Sequence, residues 1–304
     1  MSKIVGIGAN VCDTLITVST YPTEDTKQKA SSTVVCGGGP CATGLVAASK
    51  LGGDCGFIGN FAGDASGAFL KEDFEKYNVS TEFTDIKPGS ISFSSWVVLC
   101  SDTASRTCVF DRGNVPALVL SDSQKKAIAD ADILMVDGNE MSAAIEGAKV
   151  ARENGTKVLY DAGGLYEGVE NLLPLADYII PSEEFSLGIT GCKTAEMAAK
   201  VLFEKYNPEF VIITQGIKGG ILYDGKELRS YPAFPVDCVD SNGSGDVFHG
   251  AFAFATNKGF SPYKACLFSS GVSALKCTHV GARAGVPTYD ETIKFLKERG
   301  VNEF

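Results

Sequence analysis

From residue 121 to residue 231 the chain alternates between two hydrophobic rhythms. Short apolar runs at 133–137 (Ile-Leu-Met-Val-Asp), 157–161 (Lys-Val-Leu-Tyr-Asp), 177–180 and 210–214 (Phe-Val-Ile-Ile-Thr) accompany helically spaced stretches at 122–130, 142–154 and 194–205. A short apolar run suits a buried strand, and apolar recurrence every three or four positions suits one face of a helix. The alternation predicts βαβ units around a parallel sheet. A short pair at 220–223 and 227–231 closes the region. Two strands end in Asp137 and Asp161 and another in Thr214, and such sheets bind ligands beyond the carboxyl ends of their strands.

The N-terminal part reads differently. A buried strand at 3–8 is followed by a strand-like segment carrying Asp13, a polar turn Tyr21-Pro22-Thr23-Glu24-Asp25 and a β-rich segment at 29–36. Gly37-Gly38-Gly39-Pro40 opens a helix that Gly52-Gly53 stops, with proline at a first helical position. A strand at 55–59 leads through Asn60-Phe61-Ala62-Gly63-Asp64 into a helix reaching about Tyr77. Residues 91–99 and 106–110 are strand-rich, joined by a turn over 101–105. The last part is helical at 246–258, 262–278 and 289–299, with a turn at 281–287. The expectation is one domain over 1–304: an α/β core with a small β-sheet piece from about 11–36 and 88–112.

With 44% hydrophobic and 21% charged residues, the 304-residue chain can bury a sizeable core. Its formal charge of −10 argues against nucleic acid or an anionic membrane as partner. The ten cysteines form no C-x-x-C pair, and several lie in apolar runs, which gives a zinc site poor support and points to a reducing compartment. The first residues carry no signal-peptide pattern, so a cytoplasmic protein is expected.

The stretch Asp240-Ser241-Asn242-Gly243-Ser244-Gly245-Asp246 carries the most chemistry, because a helical pattern starts there. Unpaired N–H groups at a helix start, with the peptide dipoles behind them, suit an anion. Asp246 then sits where a base could stand beside a phosphate; read without that chemistry, it caps the helix and the glycines make the turn.

Taken together, these residues resemble the ribokinase-like, or PfkB, carbohydrate kinases over nearly the whole chain. Gly37-Gly38-Gly39, Leu51-Gly52 and Gly59–Asp64 are similar to that family's N-terminal signature, and residues 240–246 to its C-terminal one, usually written D-T-x-G-A-G-D. Thr214-Gln215-Gly216 with Gly219 resembles its nucleotide turn, and 281–287 its closing turn. The resemblance implies a ribokinase-like α/β fold, Rossmann-like at its core, with a β-sheet lid. It implies Asp246 as general base toward a sugar hydroxyl attacking the γ-phosphate of ATP, with the N–H groups of Gly243, Ser244 and Gly245 as anion hole. It assigns the acceptor to Asp13, Gly38, Gly39, Thr43 (where the family commonly has Asn) and the lid residue Arg106. ATP falls to Ser182, Thr214, Gly216, Gly219, Gly243 and Gly245. Mg²⁺ is implied, and a monovalent cation such as K⁺ near Asp240.

One departure concerns the metal: the family's N-x-x-E motif is replaced by Ser182-Glu183-Glu184-Phe185, leaving Glu183 or Glu184 to act on Mg²⁺ through its waters. His249 and His279 read as structural. The acceptor expected is a ketose or related sugar, phosphorylated on a hydroxymethyl group. A nucleoside is the alternative, with Phe93, Trp96 and Phe110 as an aromatic platform, as is a sugar- or nucleotide-binding protein without catalysis. Phe93, Trp96 and Val98, read as one face of the lid, predict closure over the sugar, pairing with a second subunit's lid, or both, and a homodimer through these strands is expected.

Overall fold

The computed structural model describes residues 3–103 and 105–304, so Ala104, in the expected 101–105 turn, lies outside the described residues. Among the described residues, thirteen strands form two sheets. The large sheet contains β1 (Ile4–Ile7), β4 (Cys55–Ala62), β5 (Val79–Lys87), β8 (Ile133–Val136), β9 (Lys157–Ala162), β10 (Tyr178–Pro181), β11 (Phe210–Thr214), β12 (Gly220–Tyr223) and β13 (Leu228–Tyr231). Its order is β13-β12-β11-β10-β9-β8-β1-β4-β5. Every pairing from β5 to β11 is parallel, and β12 and β13 add an antiparallel edge. The small sheet has the order β3-β2-β6-β7, from β2 (Val11–Val18), β3 (Ser32–Gly38), β6 (Ser94–Cys100) and β7 (Ser105–Asp111).

Helices cover both faces of the large sheet, which explains its near-continuous apolar strands. They are α1 (Pro40–Lys50), α2 (Ala65–Lys76), α3 (Asp122–Ala129), α4 (Met141–Asn154), α5 (Val169–Leu172), α6 (Glu183–Thr190), α7 (Ala195–Tyr206), α8 (Ser244–Asn257), α9 (Pro262–Lys276) and α10 (Tyr289–Glu298). Alternate strand residues feed two cores. Ile4, Met135, Leu159, Ile180 and Ile212 pack with α1, α8 and α9, while Val5, Leu134, Val158, Ile179 and Val211 pack with α3, α4 and α7. Helices α1 and α8 cross at glycines, since a Cβ at Gly250 would collide with the Gly44 carbonyl. This contact ties the helix that starts at Gly39-Pro40 to the one that starts at Gly243.

Five sequence expectations change. β4 continues through Asn60-Phe61-Ala62, beyond the strand expected to end at 59, because β5 pairs with it as far as Ala62–Lys87. β5 and α6 were not anticipated. β3 runs through Gly37 and Gly38, held by Val11 and Cys12 of β2. Phe93 does not share a face with Trp96 and Val98: it precedes β6 and lines the inner side with Ser95 and Val97, as the two-residue period of a strand requires. The outer side carries Val35, Trp96 and Val109, which are 53%, 44% and 65% exposed.

Candidate active site

The small sheet lies over the carboxyl ends of the large one and builds the acceptor side. Asp13 of β2 pairs with Ser95 of β6, which pairs in turn with Phe110 of β7. The Ser95 hydroxyl donates to Asp13 Oδ1 at 2.6 Å. Burial pushes the Asp13 pKa up, opposed by that hydrogen bond and by the charge of Arg283. A Cβ at Gly38 would collide with the Asp13 carboxylate, so glycine there makes room for the acid. Gly39, at φ 92° with the Ala9 carbonyl against it, admits no side chain either. A cleft of about 190 Å³ opens here, lined by Asp13, Gly39, Phe93, Arg106, Phe110 and Asn242 among others. Lid, glycine turn and anion turn therefore meet in one concavity. Arg106 reaches across it, its Nη1 donating to Ser241 Oγ at 3.5 Å. Thr43, expected at the acceptor, is instead fully buried in α1 and does not line the cleft.

At the start of α8, Gly243 is the N-cap at φ 74°, a left-handed conformation that costs glycine little. Ser244 N–H donates to the Ser241 carbonyl at 3.2 Å, which removes it from the expected anion donors. The N–H groups of Gly243, Gly245 and Asp246 have no hydrogen-bond partner among the described residues. A side chain at Gly245 would meet nothing within 4 Å, leaving open space beside these donors. The Asp246 carboxyl is pushed up to about 7 by burial first, then by the charge of Asp161, against the opposing charge of His249. Asp13 also acts on it, which places the two acids within electrostatic reach.

The other strand-end acids have separate tasks. Asp137 accepts from Ala9 N–H at 2.8 Å and Cys41 N–H at 3.0 Å, fixing the start of α1. Buried Asp161 lies 3.2 Å from His249 Nδ1. His249 also stands 2.7 Å from the Gly245 carbonyl and 2.8 Å from that of Ile180, so it braces α8 against β10, the structural role expected of it.

On the nucleotide side, Ser182 bridges Thr214, and Thr214 Oγ1 donates to the Pro181 carbonyl at 3.4 Å. Gly216 and Gly219 both take positive φ, and a Cβ at Gly219 would collide with the Tyr231 carbonyl. Glu183 Oε1 accepts from Gln215 Nε2 at 2.7 Å and its Oε2 lies 3.7 Å from Lys218 Nζ. A larger groove of about 650 Å³, lined by Val236, Val239, Leu275 and Phe295 among others, adjoins the anion turn at Val239.

Two functional candidates were missed from sequence because both looked like ordinary surface charges. Arg283, in the closing turn, is 2% exposed; its guanidinium donates to Asp73 at 2.6 Å, Asn10 at 2.9 Å and the Gly38 carbonyl at 2.6 Å. Lys276 is fully buried, and its ammonium donates to the carbonyls of Asp240, at 2.7 Å, and Asn242. That ammonium stands where K⁺ was expected beside Asp240. Among the described residues no cluster of three or more His, Cys, Asp or Glu could hold a metal by itself. All ten cysteines are free, and no described helix is long and apolar enough to cross a membrane.

A parallel α/β sheet with a β-sheet lid and an anion-ready helix start opposite a buried acid define a sugar-kinase type of site. The description "pfkB family carbohydrate kinase" matches residues 1–289, and the chain belongs to that family, whose members are phosphotransferases with an alcohol group as acceptor. It is 27% identical over 310 residues to a ribokinase of Lactococcus lactis, covering 99% of each chain. A solved structure from Agrobacterium tumefaciens superposes with a TM-score of 0.93 at 27% identity, covering 99% of each chain. The ribokinase of Arabidopsis thaliana, solved with ribose and ATP, has the same fold, with a TM-score of 0.86 at 24% identity over 97% of this chain and 99% of that one.

Proposed function

We propose that this chain transfers the γ-phosphate of ATP to a primary hydroxyl of a small sugar, with Asp246 as general base. The observation that carries the reading is the Asp246 carboxyl close to Gly243, whose N–H, like that of Gly245, has no partner among the described residues, with Asn242 of the same turn lining the cleft that holds Asp13. Asp13 accepts hydrogen bonds from the sugar hydroxyls and orients the reacting one toward Asp246. Asp246 takes its proton as attack begins. The N–H groups of Gly243 and Gly245 stabilise charge on the transferred group, a preorganised arrangement that costs no rearrangement during reaction. Arg106 crosses the cleft and excludes water, which limits hydrolysis of ATP. The groove beside Val239 takes the adenine, and Thr214, Gly216 and Gly219 shape the phosphate approach.

Mg²⁺, when bound, neutralises phosphate charge during transfer. The carboxylate of Glu183, held by Gln215 and Lys218, offers hard oxygen of the kind Mg²⁺ prefers and would help hold the ion. A cleft of about 190 Å³ falls below the range usual for drug-sized ligands, which favours a single sugar ring over a nucleoside. Phe93 and Phe110, 5.8 Å apart, supply an apolar wall for that ring, while Trp96 faces away. The resemblance to ribokinases weighs toward ribose against the ketose expected from sequence. The outer lid face supports a homodimer. ADP release across a panel of pentoses, ketoses and nucleosides tests the reading; turnover with nucleosides alone, or with nothing despite measurable sugar binding, would overturn it.

A further inference from the structure

The turn before the anion donors is held from three directions. Its amides go to the end of α9: Val239 and Asp240 N–H donate to the Cys277 carbonyl at 2.8 and 3.1 Å. The Asp240 carboxylate accepts from Asn242 N–H and from Gly281 N–H in the closing turn, both at 2.8 Å. Its outward-turned carbonyls, of Asp240 and Asn242, converge on the Lys276 ammonium, which also lies 3.9 Å from Asp240 Oδ2. A fully buried ammonium is costly unless several oxygens surround it, and here they are main-chain oxygens of the very turn that presents Gly243 and Gly245. Burial lowers the Lys276 pKa and the Asp240 charge opposes that shift. An ammonium group and a potassium ion are of similar size and both are bound by rings of carbonyl oxygen. A free cation brought to these two carbonyls would have to displace the tethered one.

We infer that Lys276 is a built-in monovalent cation: it fixes the 239–243 turn in the shape that presents the anion donors, and the enzyme needs no K⁺. Lys276 does not itself line the acceptor cleft and reaches it only through the main-chain carbonyl of Asn242, so it is a positioning residue. The inference rests on the kinase reading above, and its test includes a readout independent of turnover.

The experiment compares wild type, Lys276→Ala and Lys276→Met in potassium, ammonium and tetramethylammonium chloride, reading ADP release and melting temperature. Wild type should show the same rate and the same melting temperature in all three salts. Lys276→Ala in tetramethylammonium should lose about 100-fold in kcat, the order of loss when an anion-hole donor is removed, with acceptor KM little changed. Potassium or ammonium should restore at least about tenfold of that loss and raise the variant's melting temperature. Lys276→Met, whose longer side chain fills the space, should stay slow in every salt. A wild-type enzyme activated by potassium, or a Lys276→Ala enzyme that is fully active without it, would overturn the inference. If no acceptor is turned over, the kinase reading fails but the salt-dependent melting of Lys276→Ala still decides the cation question. If Lys276→Ala does not fold, the wild-type salt response decides it.

Discussion

Arg283 Nη1 and Asp73 Oδ2 form a buried ion pair of 2.6 Å between residues 210 positions apart in sequence. The same guanidinium holds the Gly38 carbonyl, and a Cβ at Gly37 would collide with it. The closing turn thus clamps the glycine strand on which the acceptor rests. Removing one partner of a buried pair leaves the other charge without compensation, so Arg283→Met should lose about 3–5 kcal/mol in urea unfolding. Lysine keeps the charge and lacks the planar fork that serves three acceptors at once. Arg283→Lys should therefore fold but raise acceptor KM more than ATP KM. Equal acceptor KM in that variant would refute the clamp.

Gly38→Ala probes the acceptor side directly. The new methyl must displace the Asp13 carboxylate, and misplacement of a positioning group by about 1 Å can cost on the order of 100-fold. The loss should appear in kcat/KM for the sugar, with ATP affinity by calorimetry unchanged. A variant with intact sugar kinetics would mean that Asp13 does not hold the acceptor.

The pH profile follows from Asp246. The base works only when ionised, and its pKa is raised to about 7, so kcat/KM should fall about tenfold per unit as pH drops below 7 and level off above it. Asp161 is the largest charge raising that pKa, so Asp161→Asn should move the acid limb to lower pH. The linkage to stability has a definite sign. A carboxyl whose folded pKa exceeds its unfolded value favours folding below the unfolded pKa, and that contribution is lost as pH rises through about 7. Asp246→Asn should accordingly melt above wild type at pH 8 and no higher at pH 4. A flat rate profile from pH 5 to 8 would contradict the shift.

The outer lid row of Val35, Trp96 and Val109 should be covered by a second copy in solution. Trp96→Glu should convert a dimer into a monomer in sedimentation at micromolar concentration. A monomeric wild type would remove the proposal.

Much of this architecture was legible in the alternating apolar runs, because strands buried on both faces and amphipathic helices leave distinct periods. β5 was not, because an edge strand reading Ser-Thr-Glu-Phe-Thr-Asp-Ile-Lys after Val79 is half exposed and mostly polar. The glycines and Asp246 could be found because a turn of that shape restricts residue type locally. Lys276 and Arg283 could not. A lysine in the last turn of a helix and an arginine between alanines carry no local mark of burial, and only the packing of α9 and the closing turn against residues far away in sequence gives them partners. Phe93 and Trp96 were assigned to one face although positions an odd number apart on a strand face opposite ways, and Phe93 in fact precedes β6.

The most direct test of the central claim is ADP release by wild type and Asp246→Asn at pH 8, with the acceptor identified from the panel. Loss of a positioned general base costs about 10²–10⁴ in rate, and that loss is expected with sugar and ATP affinities preserved. An Asp246→Asn enzyme that keeps its rate would contradict the assignment of Asp246 as the base.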